Sequence, residues 1–168
     1  MLASPATPDD LFAYLDRLGI AHTTVWHDAT FTVDEGRDLK ATIPGGHSKN
    51  LFMKDKDDAL VLVSAHADSV LKLNQLHKVL GTRRLSFGAP DLMQAVLGVV
   101  PGSVTSFALM NDKDLKVRFI AEAALMAHDT VNFHPLVNTG TTSIARDDLI
   151  AFAESTGHAV EVIDFAAL

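Results

Sequence analysis

Gly46-His47-Ser48-Lys49-Asn50-Leu51-Phe52-Met53-Lys54 is the stretch from which the fold can be read. A polar cluster carrying Lys49 and Asn50 runs straight into an apolar segment. Asp55-Lys56-Asp57-Asp58 then separates that segment from a second apolar run, Ala59-Leu60-Val61-Leu62-Val63. Two apolar runs flanking four turn-prone residues predict a β-hairpin. On this reading Lys49 and Asn50 sit at the mouth of a buried sheet, on rigid backbone and open to a ligand. Taken alone, the stretch reads more simply as a loop that keeps its polar residues in water. A second polar stretch, Phe133-His134-Pro135-Leu136-Val137-Asn138-Thr139-Gly140-Thr141-Thr142, shifts that balance.

Upstream, Thr7 can cap a helix with Pro8 at its first position, and Asp9 and Asp10 suit the positive end of its dipole. Leu11, Leu15 and Leu18 share one face, and Gly19 can stop the helix. A strand is expected over 21–27, and Thr32-Val33-Asp34-Glu35 has capping-box spacing for a short helix through Leu39. Pro44, Gly45 and Gly46 predict a loop from Ala41 to Ser48. Downstream, a helix starting at Asp68 or Ser69 would line up Leu73, Leu76 and Leu80 and end at Gly81. Arg84 to Phe87 is a strand or connector, and another helix runs from Pro90 to Gly98. Val99 to Thr105 reads as a loop entering an apolar segment at Phe107–Met110. Strands follow at 116–121 and 130–133, then a helix at 147–155 and a last strand at 158–163. Helices and strands alternate without a regular βαβ repeat, so the fold class is α+β, a single mixed domain over 1–168.

Composition bounds the function. The chain has 168 residues, 48% hydrophobic and 21% charged, which is enough to bury a core. It contains no cysteine, which excludes disulfides, thiol nucleophiles and cysteine-held metals. No signal peptide and no apolar run of about 20 residues is present, so a cytoplasmic protein without membrane contact is expected. Net charge is −7, from 14 Lys and Arg against 21 Asp and Glu. Binding along a DNA duplex needs a basic face that this chain lacks. Small basic groups remain at Lys49, Lys54 and Lys56, at Lys72 and Lys78, and at Arg83-Arg84. These can hold the end of a nucleic acid.

Several chemistries are absent. No phosphate-binding G-x-x-x-x-G-K-[ST] loop, serine elbow or dinucleotide fingerprint occurs. The eight histidines are dispersed, and nothing among them calls for a metal or other cofactor.

Three polar stretches remain, and together they carry a resemblance. Ser48-Lys49-Asn50-Leu51-Phe52, Gly98-Val99-Val100-Pro101-Gly102-Ser103-Val104-Thr105, and Phe133-His134-Pro135 with Asn138-Thr139 and Thr141-Thr142 resemble the YbaK/ProX superfamily of aminoacyl-tRNA editing proteins. The closest likeness is to free-standing proteins that hydrolyse alanyl-tRNA(Pro). The resemblance implies a YbaK-like barrel, largely antiparallel, with surrounding helices. It also implies a deacylase acting on the acceptor end of mischarged tRNA, with prolyl-tRNA synthetase as a further partner. Carried over residue by residue, it points to Lys49, Gly102 and His134 for catalysis. Asn50, Ser103 and Asn138 would bind substrate, and Thr32 and Val33 would wall the amino-acid pocket. One departure stands out: the family's glycine motif ends in proline, and here Ser106 holds that place. Ala108 also stands where relatives often have glycine.

The chemistry is consistent with these residues. An aminoacyl ester is already activated, so hydrolysis needs positioning, a water and stabilisation of a developing oxyanion. Lys49 can hold a phosphate or polarise the ester carbonyl. Asn50 can bind the ammonium group or the ribose. Backbone around Gly102 can approach closely, and His134 can orient or deprotonate water. A cysteinyl-tRNA(Pro) deacylase and a non-catalytic module binding tRNA ends or a synthetase are the alternatives.

Overall fold

The computed structural model describes residues 5–29 and 40–165. The expected helix at 32–39, with Thr32 and Val33, lies outside the described residues.

Helix α1 (Pro8–Arg17) begins as expected. The Thr7 hydroxyl accepts from the Asp10 amide at 3.2 Å while the Asp10 carboxylate accepts from the Thr7 amide at 2.9 Å, a reciprocal cap. After it come β1 (His22–Trp26), β2 (Gly46–Lys54) and β3 (Leu60–His66). A 3₁₀ turn (Leu73–Gln75) leads into α2 (Leu76–Leu80), and β4 (Ser86–Phe87) and α3 (Pro90–Leu97) follow. A second 3₁₀ segment (Ser106–Asn111) precedes β5 (Val117–Glu122), α4 (Ala123–Met126) and β6 (Thr130–Phe133). The described chain ends with β7 (Gly140–Ala145), α5 (Arg146–Ser155) and β8 (Val160–Ile163).

The strands form one ladder in the order β1-β7-β6-β2-β3-β5-β8, with β4 added beside β2. β1–β7, β6–β7, β2–β3 and β2–β4 are antiparallel. β2–β6, β3–β5 and β5–β8 are parallel. The α+β expectation holds, and the hairpin joins β2 to β3 with Lys49 opposite Ala65 and Asn50 opposite Ser64.

Alternation along the hairpin feeds two apolar clusters. Phe52, Leu60 and Leu62 point into the main core with Phe107, Phe119, Phe133 and Phe152. Met53, Val61, Val63 and Ala65 point the other way, against Leu76, Leu80, Ile120 and Phe165. Burial on both faces explains why β3 reads as an unbroken apolar run.

Three local expectations need correcting. β2 starts at Gly46, so Gly46–Ser48 is strand rather than loop, and Lys49 and Asn50 lie inside the strand rather than at its mouth. Pairing with distant Val131 and Asn132 extends it, and local sequence does not encode that pairing. Gly46 also lets the His128 ring pack on the backbone; a Cβ there would stand 2.8 Å from the ring. The helix expected from Asp68 starts only at Leu73, because the Ser69 carbonyl and hydroxyl are bonded to Lys49 and Glu122. The apolar segment at 107–110 is a buried 3₁₀ turn. Strand β7 and helix α4 fall where the sequence shows no clear period.

Candidate active site

The site is built on an interruption in the ladder. β3 covers one edge of β2 from Ser48 to Lys54. On the opposite edge β6 pairs only with Gly46 and His47, and β4 only with Met53 and Lys54. Between them, on that edge, the Ser48 hydroxyl donates to the Asn132 carbonyl at 2.7 Å and the Phe52 carbonyl accepts from the Gly88 amide at 2.9 Å. The two strands therefore separate just where the sequence turns from His47 to Lys49. Crevices of this kind, where strand neighbours change, are common ligand sites.

Registers place a row of polar residues across this part of the sheet. Thr23 pairs with Ser143, Ser143 with Asn132, and Asn132 with His47. Asn132 is buried; its amide donates to the Pro44 carbonyl at 3.0 Å, and its carbonyl accepts from the Ser143 hydroxyl. Lys49 of β2 and His134 beyond β6 each stand two residues past the last pair between these strands, His47–Asn132, where the ladder breaks. The face of the polar row points away from the main core, into which Val131 and Phe133 project.

His134 is held in a defined state. Its Nδ1 lies 2.9 Å from the Gly140 carbonyl, which can only accept, so Nδ1 carries the proton and Nε2 keeps a lone pair. Burial lowers its pKa below the usual imidazole value; the Gly140 bond opposes that shift and nearby His27 adds to it. His27 is fixed in turn, by the Asp28 carbonyl at 2.8 Å and the Thr141 hydroxyl at 2.8 Å. His47 is likewise lowered, first by burial, with its Nε2 on the Ile43 carbonyl at 2.8 Å.

Lys49 extends its ammonium to the Ser69 carbonyl. The Ser69 hydroxyl donates at 2.7 Å to buried Glu122, which also accepts the His66 amide at 2.9 Å. A carboxylate thus anchors the loop on which the Lys49 cation rests. Asn50 leaves the strand on the opposite face, where it accepts from the Ser64 hydroxyl and donates to the Ser48 hydroxyl at 3.1 Å. Strand alternation therefore separates the two neighbours of the Lys49-Asn50 pair.

The glycine stretch meets the third stretch directly. Gly102 has φ +92°, a conformation that side chains disfavour, and a Cβ placed on it would lie 3.6 Å from the Asn138 amide. Ser103 is buried behind it, its amide on the Val100 carbonyl at 3.0 Å. Ser106 is fully buried and its hydroxyl has no hydrogen-bond partner among the described residues. Lys49 and His134 thus flank the same break in the ladder, Gly102 and Asn138 meet, and Asn50 leaves β2 on the face opposite Lys49. Sequence reading passed over His27, Asn132, Ser143 and Glu122, whose places follow from strand registers and not from any local motif. Among the described residues no group of His, Asp or Glu is arranged to hold a metal.

Comparison with known proteins bears on the family and the fold. A family model for the aminoacyl-tRNA editing domain matches residues 27–152. The chain is 35% identical over 161 residues to prolyl-tRNA synthetase associated domain-containing protein 1 of Xenopus laevis, covering 93% of this chain and 95% of that protein. It is 29% identical to the prolyl-tRNA editing protein ProX of Acetoanaerobium sticklandii, covering 92% and 94%. A solved structure described as a candidate trans-editing enzyme for prolyl tRNA synthetase shares the fold, with a TM-score of 0.69 at 17% identity, covering 96% and 98%. The chain belongs to the aminoacyl-tRNA editing domain family.

Proposed function

We infer that the protein is a trans-editing deacylase that hydrolyses the ester of mischarged tRNA(Pro), with alanine as the amino acid removed and proline excluded by pocket size. The observation that carries this reading is that Lys49 and His134 each stand two residues past the last β2–β6 pair, at the break in the ladder, with His134 Nε2 keeping its lone pair. On this reading His134 Nε2 takes a proton from water as the oxygen bonds to the acyl carbon. The ester bond to the ribose oxygen then breaks, that oxygen takes the proton back from His134, and the amino acid leaves as a carboxylic acid that loses its own proton to solvent. Lys49 would offset the negative charge that develops on the way, or hold the terminal phosphate. Backbone around Gly102 gives the substrate a close approach, with Asn138 and Ser103 at its side.

Names of relatives support the substrate class; the choice of alanine rests on the resemblance. Exclusion is the stronger basis for selectivity, because an attractive pocket separates small side chains by only about 1–3 kcal/mol. The test is deacylation of alanyl-, cysteinyl- and prolyl-tRNA(Pro) by the purified protein. Loss of alanine with proline spared is expected. Preference for the cysteinyl ester would replace alanine with cysteine, and tight tRNA binding without turnover would make the protein a non-catalytic module.

A further inference from the structure

The chain's only tryptophan, Trp26, stands on β1, the strand at one end of the ladder, with 56% of its surface open to solvent. Core packing does not account for a ring so exposed. Its contacts do. Trp26 pairs with Gly140, the first residue of β7. A Cβ placed on Gly140 would stand 3.0 Å from Cε3 and Cζ3 of the indole and 3.1 Å from Cγ of Pro135. Gly140 is therefore clamped between two rings, and only a residue without a side chain lets both come so close. The indole is supported in turn by Phe12 of α1, edge-on with ring centroids 6.1 Å apart, and Phe12 is stacked on His22 at 5.3 Å.

The next residue of β1 secures the neighbours of Gly140. The His27 amide donates to the Thr139 carbonyl at 2.9 Å, and its Nε2 lies 2.8 Å from the Thr141 hydroxyl. Thr139, Gly140 and Thr141 are thus each tied to Trp26 or His27.

What the clamp fixes is one carbonyl. Gly140 O accepts from His134 Nδ1 at 2.9 Å, the bond that leaves Nε2 with its lone pair. In a neutral imidazole, the partner of one nitrogen decides which of the two carries the proton. Glycine backbone is the least restricted of any residue, so the aim of this carbonyl depends on what packs against it.

We propose that Trp26 is a positioning residue for the reaction: its indole, packed on Gly140, holds the carbonyl that keeps His134 in the Nδ1–H form with Nε2 free to take a proton. The role of His134 as base rests on the editing reading; the clamp itself does not.

The experiment records ¹⁵N–¹H correlation spectra of the histidine rings in the full-length protein, which show which nitrogen is protonated. His134 is identified by its loss in His134→Gln. Wild type is compared with Trp26→Ala, Trp26→Phe and Val25→Ala, the last an exposed neighbour on the same strand. Trp26→Ala should turn His134 from a single Nδ1–H form into a mixture of tautomers. It should also lower kcat for alanyl-tRNA(Pro) by about 10²-fold with KM kept, the scale of loss when a reacting group is displaced by about 1 Å. Trp26→Phe, which keeps a flat ring, should recover both, and Val25→Ala should change neither. Thermal midpoints check folding, and Trp26→Leu stands in if Trp26→Ala does not fold. A folded Trp26→Ala protein whose His134 stays wholly in the Nδ1–H form overturns the proposal. So does an equal tautomer change in Val25→Ala, which would make it a general loosening of β1. A tautomer change in Trp26→Ala, with a wild type that deacylates nothing, keeps the clamp and removes the editing reading.

Discussion

The two ends of β2 hold their polar groups in opposite ways. At the N-terminal end, His47, Asn132 and His134 are at least half-buried, and burial lowers the pKa of both imidazoles, favouring their neutral forms. At the C-terminal end, Lys54, Lys56, Arg83 and Arg84 are full charges, most of them in open solvent. The first arrangement fixes proton positions and suits chemistry; the second senses a polyanion from a distance and suits capture. The two ends should therefore answer to different variables, kcat to pH and KM to salt.

The largest effect expected is at the chemical end. His134→Ala should lower kcat by about 10²- to 10⁴-fold in single-turnover deacylation, the usual range for a lost general base. In the wild type, kcat should hold at pH values below the ordinary imidazole pKa of 6.5 and fall only as Nε2 becomes protonated. A full rate in the variant would leave the crevice without its base. The same groups link pH to stability. Unfolded His134 and His47 bind protons near 6.5 that the folded protein resists, so stability should fall as pH drops from that value toward their folded pKa.

Next in size is a change that should disturb neither signature. Asp112 accepts the amides of Lys116 at 3.0 Å and Val117 at 2.9 Å and meets His158 at 2.8 Å, with both side chains almost wholly buried. Burial alone would raise its pKa, but His158 and the two amides outweigh that and hold it below the usual range. Its contribution is therefore present above the ordinary carboxylate pKa and lost as pH falls through the lowered one. Asp112→Ala should cost about 3–5 kcal/mol in urea unfolding, as one partner of a buried pair is removed. A shifted pH or salt profile in the still-folded variant would show that the two ends of β2 are not independent of this anchor.

The smallest effect concerns the glycine stretch. Ser106 buries a hydroxyl without a partner, so Ser106→Ala should stabilise the protein, by about 1 kcal/mol. Destabilisation on urea unfolding would mean that the hydroxyl has a partner after all.

Much of the fold is legible in local chemistry. Thr7 with Asp10 writes the start of α1, Gly81 and Gly98 write helix ends through left-handed backbone at φ 70° and 67°, and the apolar runs write the hairpin. The site is legible only in part. Lys49, Gly102 and His134 can be singled out as types, but the placement of Lys49 relative to His134 depends on β6 lying parallel to β2, with partners 85 positions apart in sequence. Strand β7 escapes reading because Gly140-Thr141-Thr142-Ser143 has no apolar alternation; it is specified by bonds to β1 and β6.

The sequence by itself determined most of the element types, the α+β class and the family, because caps, glycines, periodicity and motifs act over a few positions. Only the tertiary structure decided that Lys49 and Asn50 face opposite ways, that Lys49 and His134 flank one break in the ladder, and that Lys56 and Arg84 line one cavity. Those outcomes depend on where strands join and part, and strand pairing is a long-range property that no short segment contains.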